Sequence, residues 1–68
     1  MKLNDASIKE VADRFIAEHI DSVDGTESAR HVLDRLMDYL AELGYGEEDM
    51  FAVHVAVEEA IMRRLQKS

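Results

Sequence analysis

The chain has no proline and only three glycines, at positions 25, 44 and 46, so very few points can stop a helix once it starts. Proline and glycine cost a helix interior about 3 and 1 kcal/mol. Their scarcity leaves long uninterrupted stretches on either side of Gly25 and of the Gly44/Gly46 pair. A chain cut only there is expected to form three helices.

The second break, "LGYGEED", reads as a helix end followed at once by a helix start. Gly44 can take the left-handed C′ conformation, with Tyr45 folding back on Leu40, while Gly46 is a tolerable N-cap. Glu47, Glu48 and Asp49 then occupy a first turn whose N–H groups favour negative charge. Tyr45 and Met50 have hydrophobic-staple spacing. The first break is "DSVDGTES", where Asp24 and Glu27 form a box-like pair and Thr26 is an equally acceptable cap. At the N-terminus, "SIKE" reads as a capping box of Ser7 and Glu10. The expected helices run from about Ile8 to Val23, Thr26 to Leu43 and Glu47 to Gln66.

At 100° per residue the first helix gathers Ile8, Val11, Ala12, Phe15, Ile16, Ile20 and Val23 on one side. The second gathers Ala29, Val32, Leu33, Leu36, Met37, Leu40 and Leu43. The third differs, because Met50, Phe51, Val53, Val55, Val57, Ile61, Met62 and Leu65 spread over more than ~200°, about twice what a one-sided helix needs. Its core, "FAVHVAV", also alternates like a strand, but helical continuity into "EEAIMRRLQK" outweighs that reading. Short connections make neighbouring helices antiparallel, so residues 1–68 are expected to form one all-α domain, a three-helix up-down-up bundle. The surplus arc of helix 3 would then face a second copy or a partner helix, through Met50, Phe51, His54, Val55, Glu58, Met62 and Leu65.

Composition bounds the function. With 68 residues and no cysteine, the domain lies near the lower size limit for a self-supporting core and has no disulfide or thiolate metal site to help it. Self-association is one remedy. A formal charge of −7 disfavours binding to a phosphate backbone, so nucleic acid is not an expected partner. The opening "MKLNDASIKE" lacks the apolar run of a signal peptide or membrane span, and a cytoplasmic setting is expected. There is no Gly-rich phosphate loop, no cysteine nucleophile, and no nucleophile elbow around Ser7, Ser22, Ser28 or Ser68. No catalytic residue and no cofactor is expected.

Three polar groups interrupt this pattern. His19 lies mid-stripe on helix 1, and His54 with Glu58, an i, i+4 pair, lies within the wide arc of helix 3. They are read as partly buried, hydrogen-bonded side chains. Alternatively they form a switch, since histidine beside a carboxylate can titrate near neutral pH. A metal site from His54, Glu58 and either His19 or Glu27 with His31 is the third reading, although no doubled Glu-x-x-His pattern accompanies it. Glu59 and Arg63 are expected to pair on the solvent side.

The run "ESARHVLDRLMDYLAELGYGEEDMFAVHVAVEEAIM", residues 27–62, resembles the first two helices of anti-sigma-factor serine-protein kinases, of the histidine-kinase-like ATPase superfamily. There an amphipathic helix ends in a Leu-Gly turn, acidic residues follow, and the next helix carries a motif like "VAVEEA". The resemblance aligns Glu59 with that family's catalytic glutamate. It ends at Arg63, where the family has its magnesium-binding asparagine, and "RRLQK" replaces the family's continuation. What it implies is a bacterial regulatory setting and a truncated, catalytically inactive relative, with no ATP binding carried over.

Overall fold

The computed structural model describes residues 4–67. It is an all-α bundle of three α-helices: α1, Asp5–His19; α2, Thr26–Glu42; and α3, Glu47–Lys67, with a short 3-10 turn, Ile20–Ser22, after α1. The described residues contain no strand. "FAVHVAV" therefore lies inside a continuous helix. The last turns of α1 (Ile16) and the residues just after it (Ile20, Val23) meet the end of α3 (Arg64, Leu65), so these two helices run parallel. The start of α1 (Ser7, Val11) meets the end of α2 (Tyr39, Leu43), so those two are antiparallel and the bundle is up-down-up.

Helix α1 starts three residues before the expected Ile8. Asn4 caps it, its side-chain oxygen accepting the Ser7 N–H at 2.8 Å, and Asp5 occupies the first turn. Asparagine is as good an N-cap as serine. The earlier start adds most of a turn, which is why the Ser7–Glu10 box does not form; Glu10 instead lies 3.8 Å from Arg14, both exposed. The α-helix also ends at His19 rather than Val23, tightening into the 3-10 turn. Val23 is extended, and its N–H bonds to the Ile20 carbonyl at 3.1 Å. That change of direction carries the Val23 side chain into the core.

At the start of α2 the expected Asp24–Glu27 or Thr26 cap is replaced by Ser28. Its hydroxyl oxygen accepts the N–H groups of Asp24 and Gly25 at 2.9 and 3.0 Å, and the hydroxyl donates to the Asp24 carboxylate at 2.8 Å. One side chain thus ties the whole entry. At the other end, Gly44 adopts φ +85°, donating to the Ala41 carbonyl at 3.1 Å, while the Tyr45 N–H reaches back to the Leu40 carbonyl at 3.3 Å. These two bonds make a Schellman motif, as the "LGYG" spelling predicts. Helix α2 closes at Glu42, one residue before the expected Leu43.

Helix α3 packs against both α1 and α2 and is the central element of the bundle. Val53, Val57 and Ile61, one turn apart, meet Ala12 and Phe15 of α1 and Ala29, Val32, Leu36 and Leu40 of α2 in a single core. Phe15 links the other two helices, its ring 5.7 Å from that of Tyr39 and 4.3 Å from that of His19. Asp49 is buried one turn before Val53. Its place in the first turn of α3 suits a carboxylate, because the N-terminal end of a helix carries partial positive charge.

Candidate functional site

The alternating apolar letters of "FAVHVAV" are sorted by the helix onto opposite sides. Positions 53 and 57 point inward, with Val53 0% and Val57 1% exposed, whereas Phe51 is 68%, Val55 38% and Met62 51% exposed. At 100° per residue, Phe51, Val55, Glu58 and Met62 fall within an arc of about 60°, roughly opposite the buried row. Two residues in a strand would share a face where here they part. An apolar seam on the outside of the central helix is the direct result.

The residues expected at this surface divide into three groups. Phe51, Val55 and Met62 are exposed, and Glu58 stands among them. His54 is partly buried at the edge of the seam, its Nδ1 3.6 Å from the Glu58 carboxylate, too long for a hydrogen bond. Met50 and Leu65 are partly buried and packed against the core. Met37 of α2 and Leu43 just past its end are also exposed, although the wheel places them on the apolar face. Leu43 follows the last helical turn, where the chain is already leaving the bundle.

His19 is partly buried and stacks on Phe15 within α1, so an aromatic contact accounts for its place in the stripe. Glu27 and His31 are both exposed. Among the described residues no three His, Asp or Glu side chains gather closely enough to hold a metal ion. None of their buried side-chain nitrogen or oxygen atoms lacks a hydrogen-bond partner.

The expected Glu59–Arg63 ion pair does not form. Both side chains are exposed and line a shallow groove between α1 and α3, with Ile8, Ala12, Ala56 and Ala60 at its floor. The groove widens toward the helix ends to an open volume of about 670 Å³ lined by Ile16, Ile20, Val23 and Leu65. There Arg64 Nε donates to the Val23 carbonyl at 3.3 Å, fastening the last turns of α3 to the end of α1. Sequence reasoning missed this contact. Its only local sign is an arginine on the inward side of an amphipathic helix.

The fold and its outer surface thus define a small three-helix bundle whose central helix carries an exposed apolar seam. No protein-family model, curated protein or solved structure matches the chain. No described helix is long and apolar enough to cross a membrane.

Proposed function

We propose that this chain is a non-enzymatic helix-association module that works through the outward face of α3. One observation carries the reading: Phe51, Val55 and Met62, with Glu58 among them, lie exposed along the outer side of the helix that also centres the core. Scattered surface hydrophobics are ordinary, but a phenylalanine and a methionine aligned with a valine along three turns of one helix form a recognisable docking pattern. Covering such side chains stabilises a complex by about 25 cal/mol per Å² of apolar surface removed from water. Glu58 and His54 at the seam supply register, since a mismatched partner would leave them unpaired.

The resemblance of residues 27–62 to anti-sigma-factor kinases fits a bacterial regulatory role for such a module. Glu59, the residue aligned with the catalytic glutamate, lies in the α1–α3 groove beside Arg63 rather than on the seam. The association reading therefore does not depend on that alignment.

The test is sedimentation equilibrium of the chain at up to about 1 mM, where an association of even about 4 kcal/mol is visible. The Phe51→Lys/Met62→Lys double variant is measured alongside. A mass that rises with concentration above 7.7 kDa, and returns to 7.7 kDa in the variant with helicity unchanged, supports the reading. A mass fixed at the monomer value, or an association that survives both lysines, refutes it.

A further inference from the structure

We draw no further inference here: the strongest candidate, the open apolar groove between the end of α1 and the last turns of α3, sets Arg63 and Arg64 against Asp24 and the negative C-terminal ends of both helices, a balance that selects no ligand charge, so nothing in the structure shows what covers it.

Discussion

Three valines at alternate positions, 53, 55 and 57, give the sharpest test of how α3 uses its apolar letters. Each is replaced by alanine, the same two methyl groups being lost each time. Val53 and Val57 are essentially inaccessible, whereas Val55 is 38% exposed. Removing two buried methyl groups forfeits about 1.6 kcal/mol of transfer free energy, and the cavity adds up to about 1 kcal/mol where the neighbours do not close in. Alanine recovers about 0.5 kcal/mol through its better helix propensity. The net loss at 53 and at 57 is therefore about 1–2 kcal/mol, or on the order of 10 °C in Tm for a domain this small. At 55 the lost contacts and the gained propensity nearly cancel, leaving the change within about 0.5 kcal/mol. Thermal unfolding followed by circular dichroism at low micromolar concentration measures all three. Equal losses at 53, 55 and 57 would place them on one face and refute the sorting of this segment by a helix.

Two further outcomes follow from local geometry. Gly44 is left-handed, with open space where a Cβ would go, so Gly44→Ala carries a pure backbone penalty of about 1 kcal/mol and lowers Tm by several degrees. Gly25 is extended and equally unobstructed, so Gly25→Ala should leave Tm unchanged or raise it, and a loss matching that at Gly44 in the same melts would contradict this assignment. At the N-terminus, Asn4→Ala removes the cap of α1 and should cost about 1 kcal/mol, whereas Ser7→Ala should cost little, since Ser7 contributes only its backbone N–H to the cap. Urea unfolding of the two variants decides between them, and the reverse order would restore the Ser7–Glu10 box.

The candidate site was partly legible in the letters. The width of the apolar arc on helix 3 singles out Phe51, Val55 and Met62, but Met50 and Leu65 belong to the same arc and turn to the core instead. A wheel gives the angle of each side chain about the axis and says nothing of where neighbouring helices lie. The expected pairing of Glu59 with Arg63 fails for a related reason, because sequence spacing permits such a contact between flexible exposed side chains without enforcing it.

What the sequence determined by itself is the number of helices, their breaks and their order, because those depend on groups within four or five residues of each other. Gly44 with Tyr45 and Leu40 closes α2 through two backbone bonds that need nothing from elsewhere. At the start of α1 the Ser7–Glu10 spelling points to Ile8, but the cap at Asn4 gives the longer helix and wins. Tertiary structure alone decided which side of α3 is covered. It also decided that Val23 leaves the helical path to enter the core, and that Arg64 spends its side chain on the Val23 carbonyl 41 residues away. Burial is a property of surfaces brought together from distant parts of the chain. A helix with two apolar sides acquires an inside and an outside only when its neighbours take one of them.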